Sequence, residues 1–97
     1  MDKRFKPLSP IEQLQKRKNI LVILQKHPDW EISKVAKFIR NELHLTLKEM
    51  SKFTQISPQT LQKLEQPQSN PTLETMLKLL NTFGLQLTIS VKDDTDH

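Results

Sequence analysis

Two helix-start signals stand eleven residues apart in mid-chain, at Thr46 and Ser57 (57 − 46 = 11). Thr46-Leu47-Lys48-Glu49 is a capping box. The threonine hydroxyl can accept the third helical N–H while Glu49 reaches back to the cap. In Ser57-Pro58 the serine caps and the proline suits the first helical position. The first helix should end near Phe53 and the second near Glu65, with Leu61 and Leu64 inward. Only Thr54-Gln55-Ile56-Ser57 lies between them, so the chain must build two short helices at a tight turn.

The same punctuation recurs on both sides. Ser9-Pro10-Ile11-Glu12 is another capping box, opening a helix that should run to about Lys26 and stop before Pro28. Ile32, Val35, Ala36, Ile39 and Leu43 fall at i, i+3, i+4, i+7 and i+11, one face of a helix. Gln66 to Pro71 is loop by composition. Thr72 caps a further helix with Leu73, Met76, Leu77, Leu80 and Phe83 inward, and Gly84 ends it. Trp30 and Phe38 are expected to anchor the junction between the two N-terminal helices.

Leu85, Leu87, Ile89 and Val91 then alternate with Gln86, Thr88 and Ser90, a period of two. This reads as a single strand, and a lone strand leaves its backbone donors and acceptors unpaired. Pairing with the same strand of a second copy, across a two-fold axis, is the economical solution. Packing singly on the helices, or pairing with another protein, are the alternatives.

Composition narrows the function classes. At 97 residues and 35% apolar, the chain suits one small domain, and a second subunit would help it bury surface. It contains no cysteine, which excludes disulfide, zinc-thiolate and thiol-nucleophile chemistry. Its longest apolar run, Ile20 to Leu24, is far short of the ~20 residues that span a bilayer, and no secretory signal precedes it. His27, His44 and His97 are isolated, with no metal-ligand spacing. No glycine-rich phosphate loop and no acid–base carboxylate pair is present, so no catalytic residue, metal or cofactor is assigned. The net charge of +4 is uneven: residues 1–30 carry seven basic and three acidic side chains, and residues 66–97 carry two and four. A basic front and an acidic tail suit a polyanionic partner.

The residues from Thr46 to Gln66 have helix-turn-helix spacing, whose second helix can enter the major groove of DNA. Leu45-Thr46, Glu49-Met50-Ser51, Ile56-Ser57, Thr60-Leu61, Leu64-Glu65 and Asn70-Pro71-Thr72-Leu73-Glu74-Thr75-Met76-Leu77-Lys78 resemble the lambdoid-repressor-like, or XRE-type, family over residues 31–84. The alternating segment after Gly84 makes the chain most similar to the HipB-type antitoxins. The resemblance implies an all-α lambda-repressor-like bundle with an extra N-terminal helix and a C-terminal strand paired across a homodimer. The implied divisions are a basic arm and helix at 1–30, the helix-turn-helix domain at 31–84, a dimerisation strand at 85–91 and an acidic tail at 92–97. It further implies a cytoplasmic, nucleoid-associated bacterial protein that binds double-stranded operator DNA. Such a protein represses its own operon and pairs with a HipA-like Ser/Thr kinase toxin, carried on one protein or divided over two.

By that resemblance Gln59 and Lys63 reach base edges, where Gln can grip adenine and Lys can donate to guanine. Ser57, Thr60 and Gln62 lie on the same turns. Thr46 and Lys48 would meet phosphate at the start of the bracing helix, and Gln66, Gln68, Ser69 and Asn70 would do so from the loop. Arg40 and Glu65 match a structural ion pair, and Leu85, Leu87, Ile89 and Val91 the dimer strand. Three positions depart from the family: Leu47 stands where Gln is common, Gln55 where Gly is common, and Pro58 where a base-reading residue can stand. A stand-alone or phage-type repressor is the closest alternative reading. A toxin-binding module that has lost DNA binding is the alternative from another class.

Overall fold

A computed structural model describes residues 6–87 as five helices in chain order: α1 (Pro10–Lys26), α2 (Ile32–Glu42), α3 (Leu47–Thr54), α4 (Pro58–Leu64) and α5 (Leu73–Thr82). Four of the five starts carry a side-chain cap of the kind their sequence announces. Ser9 and Thr46 form complete capping boxes with Glu12 and Glu49. Ser57 Oγ accepts the Thr60 N–H at 3.2 Å, and Thr72 Oγ1 accepts the Thr75 N–H at 3.1 Å. Only α2 begins without one, at Glu31. In α1 the bond from the Ser9 N–H is the chief reason the Glu12 carboxyl lies below its usual pKa; the Ser9 side chain and the charge of His44 act the same way. The folded-state pKa is depressed, so this contribution to helix capping is present at neutral pH and is lost as pH falls through it.

The core forms where α2, α3, α4 and α5 meet. Ala36, Ile39, Leu43, Met50, Leu61 and Leu79 are fully buried, and Leu45, Ile56, Leu64 and Phe83 close the same cluster. Helix α1 lies on α2 and contributes one fully inserted side chain, Ile20. The Arg17 guanidinium sits 5.3 Å from the Phe83 ring centroid and 6.0 Å from that of Phe53, and Lys16 reaches Glu42 at 3.5 Å. At the α1–α2 junction Trp30 stacks on His27 at 4.5 Å and meets the edge of Phe38 at 5.4 Å. No helix among the described residues is long and apolar enough to cross a membrane.

Helix α5 is rotated relative to its sequence reading. Leu73 and Leu77 are exposed, Met76 is half-buried, and Leu79, Leu80 and Phe83 face inward. Two stripes overlap in this segment: 73, 76, 77, 80 and 76, 79, 80, 83 both satisfy the helical spacing. The second wins because it carries Phe83 and Leu79 into the core that α3 lines.

The strand expected at 85–91 is not seen among the described residues. Residues 85–87 are irregular, Leu87 is exposed, and Ile89 and Val91 lie outside the described residues. Gly84 adopts φ 72°, and the Leu85 N–H donates to the Leu80 carbonyl at 2.8 Å. This is a Schellman closure, whose usual companion is an apolar contact from the residue after the left-handed one. Leu85 accordingly packs half-buried against the core.

Among the described residues three others adopt left-handed backbone without being glycine: His44 (φ 56°), Gln55 (φ 63°) and Gln68 (φ 61°). At Gln55 the side chain compensates in part, its Nε2 donating to the Lys52 carbonyl at 3.2 Å. The buried Thr54 hydroxyl completes the turn, donating to the Met50 carbonyl and accepting the Ile56 N–H.

A two-pronged ion pair joins α2 to the end of α4. Arg40 Nε meets Glu65 Oε2 at 2.7 Å, and Nη2 meets Oε1 at 2.9 Å. The third nitrogen, Nη1, donates to the Leu45 carbonyl at 3.1 Å. One side chain of α2 thereby holds the residue before the α3 cap and the residue that ends α4.

Two stability predictions follow from these contacts. Gln55→Gly relieves a left-handed side chain and should raise stability by about 0.5–1 kcal/mol, a melting point higher by roughly 2–8 °C. Gln55→Ala keeps the strain and loses the Lys52 bond, so it should melt below the parent. Arg40→Ala strands a nearly buried carboxylate and should cost about 3 kcal/mol by urea denaturation. Arg40→Lys should recover less than half of that, because an ammonium cannot reproduce the fork or hold Leu45 as well.

Candidate nucleic-acid interface

The turn held by Thr54 and Gln55 packs α4 against α3. Helix α4 buries Leu61 and Leu64, three residues apart, which forces the residues between and around them outward. Gln59, Gln62 and Lys63 are exposed, as is Gln66 just past the helix, while Thr60 is half-buried. A helix with one apolar seam and amide and ammonium groups on its free side can present donors and acceptors to base edges. Pro58 occupies the first turn and offers no side-chain donor.

The hydroxyls at the starts of α3 and α4 are engaged. Thr46 Oγ1 accepts the Glu49 N–H at 3.1 Å, and the Thr46 N–H is bonded to Glu49 Oε1 at 2.9 Å. The Leu47 and Lys48 N–H groups, at the first two helical positions, have no acceptor within α3. Lys48 is exposed beside them. A phosphate at this point would meet those two amides and the Lys48 ammonium. Ser57 Oγ bonds both the Thr60 N–H and Thr60 Oγ1, so these two side chains first serve the helix start.

Beyond α4 the chain does not wander. The Ser69 hydroxyl donates to the Leu64 carbonyl at 2.8 Å, and the Ser69 N–H to the Gln66 carbonyl at 3.2 Å. The left-handed Gln68 makes that fold-back possible. An open cleft of about 610 Å³ results, walled by Thr60, Lys63 and Gln66 on one side, Gln68, Ser69 and Asn70 along the loop, and Thr72 and Thr75 on α5. Seven of the eleven residues expected to contact DNA therefore stand within one region: Thr60, Lys63, Gln66, Gln68, Ser69 and Asn70 line the cleft, and Gln59 precedes Thr60 on α4. Ser57 and Gln62 also lie on this helix or its cap, and Thr46 and Lys48 sit apart at the start of α3. Thr72 and Thr75 were not singled out as site residues. Their cap-like spacing is the signal that places them there, and their hydroxyls bond at 3.0 Å.

Arg40 does not belong to this surface. Its guanidinium is consumed by Glu65 and the Leu45 carbonyl, and the pair is largely screened from water, with side chains 16% and 9% exposed.

Residues 37–89 match the family model described as helix-turn-helix, 53 residues (89 − 37 + 1) and so more than half of the chain. No curated protein and no solved structure matches. The matched span contains α3, its turn, α4 and α5. With two capped helices at a tight turn and a free polar face on the second, the chain belongs to the XRE-type helix-turn-helix family of DNA-binding transcription regulators.

Proposed function

We propose that this chain is the operator-binding antitoxin of a HipBA-like toxin–antitoxin module, repressing its own operon and neutralising a Ser/Thr kinase toxin. The observation that carries the DNA-binding half is the exposed row Gln59, Gln62 and Lys63 on α4, set beside the cleft that Lys63 and Asn70 line. Gln59 and Lys63 supply part of the sequence choice through base edges. Thr46, Lys48, Ser57, Thr60, Gln62, Gln66, Ser69 and Asn70 supply contacts to phosphate or neighbouring bases. Phosphate contacts make the affinity fall with salt. The antitoxin half draws its support from the order of parts, a helix-turn-helix domain followed at once by the alternating segment from Leu85 to Val91. In this reading two copies pair through that segment and read a pseudo-palindrome, its half-sites about one helical turn apart or a multiple of it.

A gel shift on the operon's own promoter tests the DNA reading. The double variant Gln59→Ala with Lys63→Ala should lose specific retention; binding equal to the parent's would remove α4 from the recognition role. Leu87→Pro should halve the mass seen by light scattering, and an unchanged mass would sink the paired strand. Co-purification with the products of adjacent genes separates the antitoxin from a stand-alone repressor: a kinase-like partner is expected, and its absence favours the latter.

A further inference from the structure

Helix α2 starts without a side-chain cap, and a cleft lies at that start. At α1, α3, α4 and α5 the cap side chain accepts the N–H of the third helical residue, which is Glu12, Glu49, Thr60 and Thr75 in turn. The cap position of α2 is Glu31, whose side chain makes no such bond. The Glu31 carbonyl accepts from the Val35 N–H at 3.0 Å, and the N–H groups of Ile32, Ser33 and Lys34 ahead of it have no acceptor among the described residues. An open cleft of about 250 Å³ stands there, lined by Glu31, Ser33, Lys34 and Lys37 at the start of α2 and by Glu65 and Pro67 past α4. It shares only Pro67 with the larger cleft beside α4, and none of the residues expected to contact DNA lines it. Ser33 is 6% exposed, yet its hydroxyl bonds nothing among the described residues. Every fully enclosed side-chain oxygen described has a partner, so the Ser33 Oγ is not enclosed, and what it reaches is the cleft.

Free amides at the positive end of an eleven-residue helix, a recessed hydroxyl and two ammonium groups together form a donor set for an oxyanion. Lys37 stands one turn beyond Ser33 on the same side of α2, and Lys34 follows Ser33 directly. The carboxylate on the far wall is already engaged, since Arg40 holds both Glu65 oxygens. Glu31 is exposed, and its carboxylate is the feature of the cleft that opposes an anion. Shape chooses among oxyanions. A recessed hydroxyl is reached by the terminal oxygens of a phosphate group, whereas a nucleic-acid phosphate is flanked on both sides by sugars. We infer that the start of α2 binds a terminal phosphate, either free phosphate or a phosphate monoester on a side chain. The Ser33 hydroxyl and the free amides hold its oxygens, and Lys37 supplies charge beside them. Lys34 Nζ rests 4.5 Å from the ring centroid of Trp30, the chain's single tryptophan, so its recruitment to the anion changes the surroundings of the indole. The site stands independently of the DNA-binding reading.

The test is a titration of the full chain at constant ionic strength, followed by the amide resonances of Ile32, Ser33 and Lys34 and by Trp30 fluorescence. Inorganic phosphate and a phosphoserine peptide are the two arms, and dimethyl phosphate is the control. At least one arm should shift the three amide resonances saturably, and dimethyl phosphate should not. Binding of inorganic phosphate alone assigns a free anion, and tighter binding of the peptide assigns a phosphorylated side chain. Ser33→Ala should melt as the parent does, since the hydroxyl bonds nothing in the fold. It should weaken the phosphate about tenfold, the loss of one hydrogen bond to a charged group. Lys37→Ala should also weaken binding, and Glu31→Gln should strengthen it. No saturable shift in either arm, equal shifts from dimethyl phosphate, or parent-like affinity in Ser33→Ala would overturn the proposal. Ser33→Ala should still retain the promoter duplex as the parent does, so failure of the phosphate site leaves the role of α4 untouched. Loss of promoter binding in that variant would make a DNA diester the ligand and overturn the terminal-phosphate assignment.

Discussion

The Arg40–Glu65 pair is the constraint on which the remaining geometry depends. A helix-turn-helix works only if the second helix is held at one angle, and α4 is too short to hold itself. It has seven residues, about two turns, and buries two leucines. The fork from Arg40 locks its C-terminal end, while the third nitrogen holds Leu45 just ahead of the α3 cap. Both ends of the α3–α4 unit are thus referred to the same guanidinium on α2. Planarity matters here more than charge, because three nitrogens in one plane impose three directions at once.

Much of this was legible locally. Side-chain caps operate over three residues, so Ser9, Thr46, Ser57 and Thr72 mark helix starts with no knowledge of the tertiary fold. The rotation of α5 was not legible, since two stripes share Met76 and Leu80 and only the partner surface chooses between them. Helix α1 shows the same limit. Ile11, Leu14 and Val22 are apolar yet exposed, and Ile20 alone is inserted. The candidate site divides along the same line. The free face of α4 follows from the Leu61–Leu64 spacing, whereas the cleft depends on Ser69 folding back onto Leu64. The bond between His44 Nδ1 and the Lys6 carbonyl joins residues too distant in sequence for any pattern to announce.

A small core made this division of labour necessary. The described core draws one or a few side chains from each helix, and α1 adds little beyond Ile20. Polar fasteners therefore carry geometry that a larger domain would leave to packing. No described buried side-chain nitrogen or oxygen lacks a partner, so these fasteners carry no desolvation cost left uncompensated.

The left-handed residues have a consequence for how the molecule meets a ligand. His44, Gln55 and Gln68 stand at the three successive joints α2–α3, α3–α4 and α4–α5. Each holds a conformation that costs a non-glycine residue about 1–2 kcal/mol. The helices between them are relaxed and well capped, so latent strain is concentrated at the hinges. A joint in that well has few neighbouring conformations open to a side-chain-bearing residue, so each turn is held in one shape. Replacing any of the three by glycine would widen the range of angles its joint can adopt, so the side chains at these positions trade backbone ease for a defined arrangement of the helices.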